Sequence, residues 1–146
     1  MSGKSIIKVT SLLLPILLVS ACGGAFSEHP PGPSEAEAIK ALLLAYQQAW
    51  NKHDEPELAS LLDEGFIIWL WVRGERKIVA TKGSYVFWLR DLFIRFQYLT
   101  FGTPEIWVRD DGATVYVPMT VDAHAVRATF RLIKRGERWL IQEFEF

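Results

Sequence analysis

The pattern of hydrophobic and polar positions is clearest within residues 34–71. Apolar side chains first recur every three or four residues, which places them on one face of an α-helix. This apolar face consists of Ile39, Leu42, Leu43, Tyr46 and Trp50. Ser34 and Glu37 have the spacing of a capping box, in which each side chain satisfies a free backbone N–H at the helix start. The pattern therefore predicts a long amphipathic helix that begins near Ser34.

A second helix and a strand follow in the pattern. Asp54 and Glu57 repeat the capping spacing around Pro56 and predict a short helix. Residues 66–72 then form a strand pattern that is apolar on both faces. One face carries Phe66, Ile68, Leu70 and Val72, and the other carries Ile67, Trp69 and Trp71. Because neither face should meet bulk water along its full length, the strand predicts a ligand-lined cavity, a subunit interface, or both.

The remaining pattern predicts one more helix and a series of strands. A short strand is expected around residues 77–80, and Ser84 is a candidate cap for a third helix. That helix has an apolar face made of Tyr85, Trp88, Leu89, Leu92, Phe93 and Phe96. Four further strands are expected at residues 103–109, 113–121, 126–134 and 138–146. The order predicts an α+β domain with antiparallel strands.

Four segments resemble one known superfamily. They are AYQQAWNKHD at 45–54, EPELASLLDEG at 55–65, ATKGSYVFWLRDLF at 80–93 and ERWLIQEFEF at 137–146. The chain from about residue 35 to 146 is similar to the nuclear transport factor 2-like superfamily, the fold of ketosteroid isomerases, scytalone dehydratase and polyketide cyclases. The resemblance implies a cone, with a curved, mostly antiparallel sheet wrapped around three helices in the N-terminal half. It is specific for the fold alone, because this fold hosts many unrelated activities.

The first residues have the pattern of a secretory signal. Lys4 and Lys8 precede an apolar run at 12–19, far shorter than the about 20 residues that span a bilayer. The sequence Val19-Ser20-Ala21-Cys22 resembles the lipobox of bacterial lipoproteins. We therefore expect a signal peptide at 1–21, a lipidated Cys22 with a Pro/Gly linker at 22–33, and the folded domain at 34–146. The alternative is an ordinary signal peptide followed by an incidental cysteine.

The lipobox resemblance implies where the protein resides. A cysteine of this kind carries three acyl chains, and each buried methylene contributes about 0.8 kcal/mol to membrane anchoring. We therefore expect an extracytoplasmic lipoprotein. Gly23 rather than aspartate follows the cysteine, which in a Gram-negative cell implies the periplasmic side of the outer membrane.

Composition excludes several classes of function. The formal net charge is −1 and Lys4 and Lys8 belong to the expected signal peptide, so the charge does not suit nucleic-acid binding. Cys22 is the only cysteine, so neither an intrachain disulfide nor a cysteine-based zinc site can form. Asp122 and His124 alone are too few ligands to indicate a metal site. We expect no cofactor and no metal.

The resemblance also allows isomerase chemistry to be weighed. Ketosteroid isomerases use a tyrosine on the first helix, a carboxylate base near the first strand and a protonated acid deeper in the cone. Tyr46 occupies the place of the tyrosine, but the base would fall near Trp69 and the acid near Ala128. Neither residue has a carboxyl group. His53 at a helix end and His124 in a turn are poorly placed for dehydratase chemistry.

Glu143 is the most informative carboxylate, and its position leaves two alternatives open. Strand alternation places Glu143 and Glu145 on the same face as Trp139 and Ile141. If that face lines the cone, burial would raise the pKa of Glu143. If it points outward, the glutamates are solvated or paired with arginines, for which Arg127, Arg131 and Arg138 are the candidates.

The sequence as a whole predicts a noncatalytic domain that binds a small apolar ligand or a protein partner. The alternative is an enzyme of the polyketide cyclase, dehydratase or isomerase kind acting in the cone. A homodimer through the sheet is expected. The predicted ligand-binding residues are Tyr46, Trp50, Trp69, Trp71, Tyr85, Trp88, Tyr98 and Glu143.

Overall fold

The computed structural model describes residues 28–146. The predicted signal peptide, Cys22 and the first part of the linker lie outside the described residues. The helices are α1 (Pro33–Asn51), α2 (Glu55–Ser60) and α3 (Lys82–Arg95). The strands are β1 (Leu62–Val72), β2 (Glu75–Thr81), β3 (Leu99–Phe101), β4 (Glu105–Arg109), β5 (Gly112–Val121), β6 (His124–Arg135) and β7 (Arg138–Glu145).

The helix starts show how local chemistry sets element boundaries. Helix α1 begins at Pro33, and the Glu35 carboxylate accepts the N–H of Gly32 at 3.3 Å. The capping box predicted at Ser34 and Glu37 was wrong, because a proline at the first helical position has no N–H to satisfy and its φ already suits a helix. The predicted cap of α2 is confirmed, since Asp54 accepts the N–H of Glu57 at 3.1 Å.

Helix α3 also begins earlier than predicted. Thr81 is its N-cap, and the Ser84 hydroxyl accepts the N–H of Thr81 at 2.9 Å. Ser84 is therefore the residue that reaches back to the cap and is not the cap itself, so that prediction was wrong. The pattern also missed the short strand β3, whose ends are Leu99 and Phe101.

The described strands form one sheet in the order β2-β1-β7-β6-β5-β3, with β4 also paired to β5. Only β1 and β7 pair in parallel, and the other neighbours are antiparallel. The three helices cover the inner face of this curved sheet. The predicted α+β cone-like fold is confirmed.

The core lies between the helices and the inner face of the sheet. Phe66 from β1, Phe130 from β6 and Ile141 from β7 are almost fully buried there. Tyr46 of α1 meets the Phe130 ring edge-on, with the ring centroids 6.0 Å apart. Burial of large apolar side chains on this face is what holds the helices against the strands.

A β-bulge in β7 decides which residues face this core. Leu132 of β6 pairs with Ile141, but Arg131 pairs with Glu143, so Gln142 is an extra residue in the ladder. One extra residue reverses the alternation of everything beyond it. Trp139 and Ile141 point inward, but Glu143 and Glu145 point outward, so the prediction that these four share a face was wrong.

Candidate functional site

A cavity of about 370 Å³ opens between the helices and the inner face of the sheet. Helices α1 and α3 form one side, and strands β1, β2, β3, β5, β6 and the end of β7 form the other. Its lining residues are Tyr46, Trp50, Ile68, Val79, Ala80, Tyr85, Trp88, Leu92, Phe96, Leu99, Met119, Val121, His124, Val126, Phe144 and Phe146. The half-exposed members of this set form the mouth, and they are almost all apolar.

Two tyrosine hydroxyls are the buried polar groups of the cavity. Tyr46 projects from α1 and Tyr85 from α3, and their hydroxyl oxygens are 2.5 Å apart. Both side chains are buried, at 3% and 4% exposure. A bond between two hydroxyls uses one of their two hydrogens. Among the residues described, neither hydroxyl has another hydrogen-bond partner, so the pair retains one donor for a bound molecule.

Burial keeps both tyrosines neutral. Desolvation raises the pKa of Tyr46 to about 12, although the hydrogen bond with Tyr85 partly opposes the shift. Desolvation likewise raises the pKa of Tyr85 well above 10.0, and the neighbouring Tyr46 adds to the shift. At neutral pH the pair therefore offers an O–H group and not a phenolate base.

The remaining wall offers almost no unsatisfied polar group. The Trp50 indole N–H donates to the carbonyl of Phe96 at 2.8 Å, so Trp50 presents only its ring to the cavity. Trp88 lies at the mouth and is 43% exposed. His124 lies at the start of β6, where it pairs with Val121. An apolar molecule would meet aromatic and aliphatic carbon over most of its surface.

The structure brings together four of the predicted ligand-binding residues and separates the other four. Tyr46, Trp50, Tyr85 and Trp88 line the cavity. Trp69 and Trp71 belong to the opposite face of β1, and Glu143 is outward because of the bulge in β7. Tyr98 is 67% exposed and lies outside the lining. The prediction that these last four residues line the cone was wrong.

Glu143 belongs instead to an outer cluster of charged residues, defined here as Arg76, Arg131, Glu143 and Glu145. Glu143 accepts hydrogen bonds from Arg76 at 3.2 Å and Arg131 at 3.0 Å. Glu145 is 2.8 Å from Arg76 and accepts the indole N–H of Trp71 at 3.0 Å. Of the two alternatives left open by the sequence, the outward, paired position is correct.

Trp69 is held beneath this outer cluster. The guanidinium carbon of Arg76 lies 3.9 Å from the centre of the Trp69 ring, a cation–π contact. The indole N–H of Trp69 is buried and has no partner among the described residues. Trp71 is 56% exposed. The second apolar face of β1 therefore packs against the outer cluster at Trp69 and is exposed to solvent at Trp71.

Sequence reasoning missed several lining residues. Phe144 and Phe146 were absent from the predicted ligand-binding residues, because the sequence left open which face of the last strand lines the cone and the bulge at Gln142 leaves no mark in the pattern of apolar residues. Phe144 stacks on Phe130 at 4.8 Å and on Phe146 at 5.0 Å. Met119 and Val121 had a usable signal, since strand alternation places them on the buried face of β5.

Asp122 and His124, the two possible metal ligands considered from the sequence, have other contacts in the structure: Asp122 accepts backbone hydrogen bonds and His124 lines the cavity. The Asp122 carboxylate accepts the backbone N–H groups of Gln97 and Tyr98 at 3.1 and 2.9 Å. Within residues 28–146, no group of three or more histidine, cysteine or acidic side chains is arranged to hold a metal ion.

In the same part of the chain, no helix has both the length and the apolar content needed to cross a membrane.

Comparison with solved structures identifies the fold. A protein of unknown function with a cystatin-like fold from Nostoc punctiforme superposes with a TM-score of 0.64 at 11% identity, covering 80% of this chain and 92% of that one. An NTF2-like protein of unknown function from Shewanella baltica gives 0.64 at 13%, covering 80% and 95%. The chain therefore has the nuclear transport factor 2-like fold.

A third solved structure is named for an activity. It is a candidate dehydratase of the NTF2-like family from Streptomyces avermitilis, with a TM-score of 0.58 at 16% identity, covering 77% of this chain and 94% of that one. No family model matches the chain. No curated protein matches it either. At these identities the structural likeness establishes the fold and no activity.

Proposed function

We propose that this protein is a membrane-anchored extracytoplasmic lipoprotein whose NTF2-like domain binds a small apolar molecule in the cavity and releases it unchanged. The observation that carries the proposal is an apolar cavity with a single buried pair of hydroxyl groups. The ligand is an apolar body with one hydrogen-bond acceptor, such as a carbonyl, ester or ether oxygen. That acceptor meets the free O–H of the Tyr46–Tyr85 pair.

The size and polarity of the cavity support this class of ligand. Small-molecule sites are typically clefts of about 300–1,000 Å³, mostly apolar, with a few polar groups that fix orientation. A cavity of about 370 Å³ falls at the lower end of that range. A charged ligand would lose its hydration without a counter-ion, because none of the lining residues is an acid, a lysine or an arginine.

An enzyme is the second candidate, favoured by the likeness to the Streptomyces candidate dehydratase. Dehydration needs a group that accepts a proton near neutral pH. The titratable lining residues are Tyr46, Tyr85 and His124, and burial holds both tyrosines in the protonated form. His124 is exposed at the mouth, whereas both tyrosine side chains are buried. Binding without turnover therefore has the stronger support.

The ligand test begins with purification of residues 28–146, a segment that contains every residue of the described core. Mass spectrometry of molecules that copurify identifies the ligand, and calorimetry gives its affinity. The double variant Tyr46→Phe/Tyr85→Phe removes the free O–H donor and should weaken binding by the about 0.5–1.5 kcal/mol of a neutral hydrogen bond, roughly 2- to 12-fold, whereas either single variant leaves one O–H in place. Tyr98→Phe, outside the cavity, is the matched control and should leave affinity unchanged.

Two results would contradict the binding proposal. Unchanged affinity in both the Tyr46→Phe/Tyr85→Phe double variant and Trp50→Ala would place the site elsewhere. Conversion of the identified ligand by the wild-type segment, lost in Tyr46→Phe, would make the protein an enzyme. Glu143→Gln should affect neither binding nor conversion, because Glu143 lies in the outer cluster.

The lipid anchor is a separate part of the proposal and has its own test. Cys22 follows the sequence Val-Ser-Ala at the end of a short apolar run. Cys22→Ser should abolish incorporation of a labelled fatty acid and release the protein from the membrane fraction. Unchanged labelling and membrane retention would refute the assignment of Cys22 as the lipid-carrying residue.

We also propose a homodimer formed through the outer face of the sheet. The outer cluster contains two arginines and two glutamates, so the cluster itself carries no net charge that would repel a second copy. Trp71, Ile78 and Tyr116 add exposed apolar area on the same face, at β1, β2 and β5. A surface that combines aromatic and arginine residues suits a protein interface.

A further inference from the structure

The direction in which the N-terminal segment leaves the domain can be read from one backbone contact. His29 pairs with Val108 of β4, with N–H···O distances of 2.9 and 2.7 Å. The pairing is antiparallel, so the step from His29 back to Glu28 runs alongside Arg109, in the direction of the turn at Asp110 and Asp111. Glu28 accordingly shares a shallow groove with Arg109. We call this end of the domain the tether pole.

The cavity opens at the other end of the same strands. Val121 and His124, which flank the turn between β5 and β6, both line the cavity, and so does Val126. Val108 pairs with Ala113, and Val121 lies eight residues further along β5. At about 3.4 Å per residue, these two ends are about 27 Å apart. We call the end at Val121 and His124 the mouth pole.

Helix α1 gives an independent measure of the same separation. It begins at Pro33, four residues after the contact at His29, and runs for 19 residues. Its last residue, Asn51, bonds the backbone of Leu99 in both directions, at 2.9 and 2.8 Å. Leu99 pairs with Val121 and lines the cavity. At 1.5 Å per residue the helix is about 28 Å long, which agrees with the strand measure.

We infer that the tether and the mouth of the cavity lie at opposite poles, so that in the anchored protein the mouth faces away from the membrane that holds it. This inference rests on the proposed lipid anchor at Cys22. Cys22 is seven residues before His29 and can reach at most about 25 Å from it. The tether pole therefore stays within about 25 Å of the bilayer. Ligand exchange takes place at the mouth pole, which faces the aqueous phase.

The inference is tested by measuring how far each pole lies from the bilayer. Ala123→Cys places a thiol in the exposed turn at the mouth pole, and Asp111→Cys places one in the exposed turn at the tether pole. Acylation blocks Cys22 in the mature full chain, so each variant has one free thiol for a donor fluorophore. The lipoprotein is reconstituted into vesicles that contain an acceptor dye on lipid headgroups, and energy transfer is measured.

We expect higher transfer efficiency from the label at position 111 than from the label at position 123. Equal transfer, or higher transfer from position 123, in protein that floats with the vesicles would overturn the orientation and leave the lipid anchor standing. If neither labelled protein floats with the vesicles, the anchor itself is refuted and the orientation falls with it. Labelled Cys22→Ser protein, which should not float, is the control for adsorption.

Discussion

At the scale of single residues, the Tyr46–Tyr85 pair should make the stability of the domain sensitive to alkaline pH. The pKa of Tyr46 is about 12 in the folded protein, against 10.0 for the free side chain. The unfolded chain therefore loses this proton first as pH rises, and stability declines from about pH 10 to about pH 12. The loss is at most about 1.4 kcal/mol per pH unit for each buried tyrosine.

Urea denaturation followed by tryptophan fluorescence measures this slope. The wild-type domain should lose stability between pH 9.5 and roughly pH 11, within the range where a tyrosine shifted from 10 to 12 titrates. A variant with both Tyr46→Phe and Tyr85→Phe should show a flatter dependence over the same range. An identical slope in the two proteins would contradict the prediction, because it would mean that the two tyrosines do not cause the loss of stability at alkaline pH.

Two indole N–H groups allow a second residue-scale prediction. The Trp50 N–H bonds the carbonyl of Phe96, but the buried N–H of Trp69 has no partner in the described residues. Trp50→Phe leaves that carbonyl without its donor, whereas Trp69→Phe removes a donor that was already unpaired. We expect Trp50→Phe to lower the free energy of unfolding by about 0.5–1.5 kcal/mol more than Trp69→Phe does. Thermal denaturation of the two variants decides it, and an equal cost would refute the argument.

At the scale of elements, the sequence predicted which elements exist better than it predicted their registers. The sequence pattern predicted all three helices and six of the seven described strands, because most of these elements bury an apolar face that recurs at the helical or strand period. The bulge at Gln142 could not be predicted, because one extra residue in a ladder is set by pairing with β6 and not by local composition. That single bulge exchanged Glu143 for Phe144 on the cavity side.

Helix α2 offers a direct test of element stability. It is only six residues long, and Asp54 supplies its capping bond to Glu57. A helix this short depends on its cap and on tertiary packing, here through the buried Leu58. Asp54→Ala should lower the free energy of unfolding by about 0.5–2 kcal/mol. Asp91→Ala, at an exposed position inside α3, is the control, and an equal loss there would contradict the capping argument.

At the scale of the whole molecule, the two faces of β1 account for two different features. The inner face, with Phe66 and Ile68, forms core and cavity. The outer face, with Trp69 and Trp71, joins the outer cluster. The sequence predicted that neither face meets bulk water along its full length, but it wrongly placed Trp69 and Trp71 among the residues that line the cone. That assignment depends on which face the helices cover, which only the three-dimensional arrangement decides.

The proposed homodimer is the prediction that belongs to this scale. Stable specific interfaces bury about 1,200–2,000 Å² in total, which one face of the sheet from each copy can supply. Residues 28–146 should therefore sediment as a dimer at micromolar concentration. Trp71→Glu should shift the equilibrium toward monomer, because it removes a large exposed apolar group and places a carboxylate beside Glu145.

A matched substitution separates loss of the interface from a general effect of added charge. Phe87 lies on α3, away from the outer face, and is 82% exposed, so Phe87→Glu adds the same charge without touching the proposed contact. We expect Phe87→Glu to remain dimeric and both variants to keep the wild-type circular dichroism spectrum. A wild-type segment that stays monomeric at high concentration would refute the dimer. Equal dissociation by the two substitutions would indicate a general effect of added charge and would contradict an interface specific to the outer face of the sheet.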